Sequence, residues 1–161
     1  MAKCTSLWNK SSRSPQAAEI VQEQSEVTLA VPNATRWNSF CLAVGKVYSI
    51  MVKKSEAVLN DICAKLALPP FRPNEVAFMA EYLTVMEAVV KALDTLQAEI
   101  NCFMGVLLPT ISSLRASVTS MKDSLKYAGS LAAAVLNGLT RRVAQFEQRR
   151  SDSRKRSTSA L

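Results

Sequence analysis

Apolar residues recur along this chain at steps of three and four, the spacing that places them on one face of an α-helix. Trp37, Phe40, Cys41, Val44, Val47, Tyr48 and Met51 predict an amphipathic helix from Trp37 to about Lys53. Val58, Leu59, Ile62 and Leu66 predict a second from about Ser55 to Leu66. Pro69-Pro70-Phe71-Arg72-Pro73 cannot continue it, because proline lacks the amide hydrogen that a helix interior requires. The longest periodic stretch begins at about Asn74, a favourable N-cap, with Glu75 in its first turn. Met79, Tyr82, Met86, Val89, Leu93, Leu96, Ile100, Phe103 and Leu107 then form a seam of about four heptads. Gly105 and Pro109 predict a break near Asn101 to Gly105 or at Pro109. Another helix follows to about Lys126, with Ile111, Leu114, Val118, Met121 and Leu125 inward. A last one, from Leu131 to about Gln148, carries Leu131, Val135, Leu139, Val143 and Phe146.

Ahead of Trp37 the pattern is shorter. Thr5 to about Lys10 reads as a short helix carrying Leu7 and Trp8. Ser14-Pro15 reads as a helix start, serine capping and proline at the first helical position, leading into residues 16–24. Pro32 holds Val31 away from the helical region, so Val27 to Val31 should be extended chain. The expected fold is therefore all-α: an irregular domain of about six helices over residues 1–148, one extended segment before Pro32, and a disordered tail over 149–161.

Composition narrows the chemistry. Only 4 glycines and 6 prolines in 161 residues, 48% of them hydrophobic, fit helices better than a turn-rich β fold. There is no histidine, which removes Ser-His-Asp and Cys-His catalysis and histidine-containing zinc sites. Four cysteines at 4, 41, 63 and 102 lack any Cys-x-x-Cys pair and read as reduced core thiols. Glycine-rich phosphate loops are absent, and Asp61, Glu81, Glu87, Asp94, Glu99 and Asp123 are spread singly along helices rather than gathered for metal-assisted phosphoryl chemistry. No cofactor, metal or small-molecule substrate is expected. The start has no apolar signal-peptide core, and no apolar run approaches the roughly 20 residues of a membrane span, so no membrane role is expected.

Charge is uneven. Of the net +7, the stretch from Arg141 onward contributes seven basic residues against Glu147 and Asp152, a balance of +5. Arg149, Arg150, Arg154, Lys155 and Arg156 are candidates for sequence-independent phosphate contact, as suits a nucleic-acid partner or a nuclear-import signal; a solvated end with no role is the alternative. Arg36-Trp37 is the second candidate. Placed on the first turn of a helix capped by Thr35 or Asn38, the pair could grip a phosphate and stack on a base. The same residues also suit a joint between helices, with Trp37 buried and Arg36 paired to a carboxylate.

Several stretches, taken in order, resemble the hAT-superfamily transposases and their BED-zinc-finger-containing domesticated relatives. They are Lys3-Cys4-Thr5-Ser6-Leu7-Trp8-Asn9-Lys10-Ser11-Ser12-Arg13-Ser14, then residues Pro32 to Ser39, then Phe78-Met79-Ala80-Glu81-Tyr82-Leu83-Thr84-Val85-Met86, then Ala92-Leu93-Asp94-Thr95-Leu96-Gln97-Ala98-Glu99, and finally Gly105-Val106-Leu107-Leu108-Pro109-Thr110. The resemblance covers roughly residues 1–145. It implies the front part of the helical insertion that interrupts an RNase H-like catalytic domain. It further implies that the family's Cys-x-x-His element and catalytic acids lie outside this stretch, so that the chain is a non-catalytic fragment. Arg36-Trp37 matches the pair that handles the transposon end in active relatives, which implies weak DNA binding and a nuclear location; without that, the location is cytoplasmic. From another class of function, the seam from Met79 to Leu107 could recruit a partner helix or a second copy of the chain, with no nucleic-acid role.

Overall fold

The computed structural model describes residues 1–33, 38–97 and 104–158. Among them are seven α-helices and no β-strand: α1 (Ala2–Arg13), α2 (Pro15–Ser25), α3 (Ser39–Lys53), α4 (Glu56–Lys65), α5 (Pro73–Gln97), α6 (Met104–Lys122) and α7 (Gly129–Thr158). The chain divides into two compact units, Met1–Met86 and Glu87–Leu161.

The first unit is built on caps that the sequence makes visible. Ser14 Oγ accepts from the Ala17 amide at 3.3 Å to start α2, and Ser55 Oγ accepts from the Val58 amide at 3.3 Å to start α4. Each satisfies one of the amide groups that a helix N-terminus leaves unpaired. α4 ends in a Schellman turn: the Leu68 amide donates to Cys63 O at 2.8 Å and the Ala67 amide to Ala64 O at 3.0 Å, with Ala67 at φ 51°. Helix termination thus precedes the prolines, which follow it.

α5 starts two positions earlier than an Asn74 cap would set it. Pro73 is the first helical residue, the Val76 amide donates to Arg72 O, and the Arg72 amide donates to Glu75 Oε2 at 2.8 Å. Arg72 therefore holds the capping position, with Glu75 reaching back as the acidic half of a capping box.

The core of this unit is made by Leu7 and Trp8 of α1, Val21 of α2, Val44, Val47 and Ile50 of α3, Leu59 and Ile62 of α4, and Met79 and Val85 of α5, all essentially without solvent contact. Residues 27–33, expected as extended chain, are neither helix nor strand; Leu29 among them is buried.

In the second unit α6 and α7 pack against each other. The helix expected after Pro109 begins at Met104 and passes through Pro109. Pro109 lies in its second turn, so the missing amide removes only the bond to Gly105 O. Leu114, Val118, Ala128 and Ala132 are the buried residues described here, while Ile111, Met121, Leu125, Leu131, Val135, Leu139 and Val143 are half-buried. The backbone of α7 keeps its helical geometry to Thr158, into the stretch that composition alone reads as tail.

Candidate nucleic-acid interface

Arg36 and Trp37, with Thr35, lie outside the described residues, and so do both readings of that pair. The ends of the segment that carries them are described. The Ser39 hydroxyl donates to Asn33 O, joining the two flanks, and the Leu42 amide donates to Asn38 O at 2.9 Å as the first bond of α3. Asn38 holds the N-cap position in a helical conformation (φ −82°, ψ −13°) without a side-chain capping bond.

Where α1, α3 and α5 meet, the aromatic filling comes from residues spread widely in sequence. Trp8 meets Phe40 edge to face at a centroid distance of 5.4 Å, Phe40 meets Tyr82 at 6.3 Å, and Phe78 lies 6.3 Å from Tyr82. Trp8 is 1% exposed, and its indole N–H has no hydrogen-bond partner among the described residues. Burial pushes the Tyr82 phenol up to about 12, so it stays protonated at neutral pH.

The described cysteines, Cys4, Cys41 and Cys63, are all buried; Cys102 lies outside the described residues. Burial pushes the Cys4 thiol up to about 11 and raises that of Cys63, the direction opposite to an activated thiolate. Cys4 Sγ sits 3.6 Å from Met79 Sδ, a packing contact between α1 and α5.

Four carboxylates are each taken up by a different lysine. Glu75 pairs with Lys3 at 2.5 Å, Glu26 with Lys54 at 2.8 Å, Asp61 with Lys65 at 3.0 Å and Glu87 with Lys91 at 2.8 Å. Hydrogen bonds from those lysines, joined by Gln24 at Asp61, hold Glu26, Asp61 and Glu87 below the usual carboxylate range. Among the described residues, no three histidine, cysteine or acidic side chains converge as a metal site would need.

Sequence reasoning missed one knot of polar contacts. Lys3 Nζ donates to Pro70 O at 2.7 Å as well as to Glu75, and lies 5.9 Å from the centre of the Phe71 ring. Asn60 holds Phe71 in place, accepting from its amide at 2.8 Å. The Pro73-x-Glu75 spacing was the available signal, since glutamate at the third helical position after an N1 proline marks a capping box. The lysine partner, 72 residues away from Glu75, leaves no local trace.

The basic residues occupy a different kind of place. Arg141 and Arg142 are exposed on α7, and the backbone helix extends past them through Arg149, Arg150, Arg154, Lys155 and Arg156. At 1.5 Å per residue, the span from Arg141 to Thr158 is about 26 Å of helix. Arg142, Arg149 and Arg156 recur at seven-residue intervals, which return to nearly the same side of an α-helix. α7 is held to α6 on its other flank by Arg115, whose guanidinium donates to Thr140 Oγ1 at 2.9 Å. The arrangement can neutralise several phosphates of a polyanion at once, without reading sequence.

The Met79–Leu107 seam falls on two of the described helices. Met79 and Tyr82 are used in the core of the first unit; Met86, Val89, Leu93 and Leu96 are half-buried on the remainder of α5, and Leu107 is half-buried on α6. Ile100 and Phe103 lie outside the described residues. No protein-family model, curated protein or solved structure matches the chain.

Proposed function

We propose that this chain is a non-catalytic helical module related to the insertion of hAT-type transposases, and that it makes weak, sequence-independent contact with DNA through the basic end of α7. The observation that carries the reading is the run of cations on one helix. From Arg141 onward seven basic residues face two acidic ones. A helical stretch that bears a strong excess of one charge is suited to a polyanion. Arg36-Trp37 joins this reading as the inherited stacking contact that the resemblance implies.

Support for the absence of catalysis comes from the side chains themselves. The sequence has no histidine, the Cys4 and Cys63 thiols are held protonated by burial, and the ion-paired carboxylates are each taken up by a separate lysine.

Binding to duplex and hairpin DNA should be measured across a salt series. With about five phosphates neutralised, log K should fall against log salt with a slope of roughly −4 to −5. Replacing Arg149, Arg150, Arg154, Lys155 and Arg156 together by alanine should flatten that slope. Trp37→Ala should weaken hairpin or single-strand binding by about 1–3 kcal/mol and leave duplex binding alone. Affinity that ignores salt would overturn the electrostatic reading, and strand cleavage by the pure protein with Mg²⁺ or Mn²⁺ would overturn the non-catalytic one.

A further inference from the structure

The closing turns of α7 interleave hydroxyls with cations: Arg149-Arg150-Ser151-Asp152-Ser153-Arg154-Lys155-Arg156-Ser157-Thr158. We propose that Ser157 is a phosphorylation site for an arginine-directed serine/threonine protein kinase. Such a kinase selects its substrate by charge, with acidic groups in the peptide cleft pairing with basic residues shortly before the acceptor. Ser157 follows Arg154 by three residues, Lys155 by two and Arg156 by one, and no acidic residue lies within four positions of it on either side. Ser151 and Ser153 both adjoin Asp152, whose carboxylate would bring like charge to the same cleft.

Position in the fold favours the same residue. A kinase takes its acceptor as extended chain, so the local helix must open. Ser157 lies in the closing part of the described α7, fourteen residues beyond Val143, the last of its described half-buried apolar positions. From Glu147 to Thr158 there is no apolar residue, so opening this end uncovers no apolar surface.

In the reaction the Ser157 oxygen attacks the γ-phosphorus of ATP. The new O–P bond forms as the bond from that phosphorus to the bridging oxygen of ADP breaks, the hydroxyl proton passes to the kinase's base, and ADP leaves. The phosphate carries about −1.5 to −2 charges, lowering the balance beyond Arg141 from +5 to about +3. The consequence for DNA rests on the function proposed above; the modification itself does not.

The full chain should be incubated with an arginine-directed kinase and Mg·ATP, and the product mapped by fragmentation mass spectrometry. One phosphate at Ser157 is expected, with incorporation lost in Ser157→Ala and reduced at least about tenfold in Arg154→Ala. Phosphate placed on Ser151, Ser153 or Thr158 instead, or incorporation indifferent to Arg154→Ala, would overturn the assignment. Duplex binding of the modified protein should weaken by about tenfold or more at low salt. If the unmodified chain binds no duplex while Ser157 is still modified, the site stands and the DNA reading fails.

Discussion

Trp8 shows how much of the first unit's stability rests on one side chain. It is 1% exposed, meets Phe40 edge to face at 5.4 Å, and leaves its indole N–H buried without a partner among the described residues. Trp8→Ala should cost about 3–5 kcal/mol through lost transfer energy and a cavity. Trp8→Phe should cost far less, about 1 kcal/mol or below, because it removes a donor whose burial is itself a penalty of roughly 1–3 kcal/mol. Urea midpoints of the two variants decide it; equal losses would mean that the N–H carries no penalty. Glu75 gives a pH test at the same scale. Burial pushes its carboxyl up, but hydrogen bonds from Lys3 and the Arg72 amide, with both neighbouring charges, outweigh this and hold it below 4.5. A group whose folded pKa is depressed stabilises fully above its unfolded value and loses that contribution as pH falls through the folded one. Stability should therefore drop as pH falls below about 4.5, and Glu75→Gln should lose that part of the acid dependence. With the Glu75 side chain 38% exposed, the effect is about 1 kcal/mol or less.

At the scale of elements, two helix positions call for opposite substitutions. Ala67 completes the Schellman turn of α4 at φ 51°, a left-handed conformation that crowds its Cβ against the carbonyl oxygen, whereas Gly138 lies inside α7 with nothing within 4 Å of where a Cβ would stand. Ala67→Gly and Gly138→Ala should each stabilise by about 1 kcal/mol, and the reverse assignment of residues is what intrinsic preference would have chosen. Thermal melts of each variant test the pair, and a lowered midpoint in either would contradict the local reading. The same elements show what was legible in the chain. Ser14-Pro15 announced its helix because capping is local chemistry, and the apolar steps along α3 and α4 named Cys41, Val44, Val47, Leu59, Ile62 and Leu66, which are buried, but not Ile50 or Cys63. Arg72 as the cap of α5 was missed because Asn74 is the better isolated capping residue, and the Lys3–Glu75 contact that reinforces the true cap spans 72 residues. The trio of Trp8, Phe40 and Tyr82 was invisible for the same reason: periodicity says which face is apolar, not which face it meets. Arg36-Trp37 drew attention by residue type and resemblance alone, and the described structure reaches only its flanks.

For the whole molecule, the contrast between the two units sets an order of unfolding. The first buries large side chains from each of its five helices, whereas described burial in the second is limited to Leu114, Val118, Ala128 and Ala132. At about 1.5–3 kcal/mol for each fully buried large aliphatic, Leu114 and Val118 supply several kcal/mol, to which the half-buried apolar residues of α6 and α7 add less apiece. Fixing two long helices costs backbone entropy of about 1–2 kcal/mol per residue before their hydrogen bonds are counted. Helices without an extensive apolar contact are marginal in water, so α6 and α7 should open before the first unit does. Trp8 is buried in the first unit, so its fluorescence, read in a Trp37→Phe background, follows that unit while far-ultraviolet circular dichroism follows every helix. In a urea titration the dichroism should fall first, with fluorescence changing at higher urea. Hydrogen exchange should agree, with amides beyond Arg141 in α7 exchanging fastest and those of α3 and α4 slowest. Addition of duplex DNA should raise protection in α7 alone, if the basic end is where the polyanion binds. Coincident transitions by the two probes would show that the units unfold as one, and protection gained equally in α3 would move the binding surface away from α7.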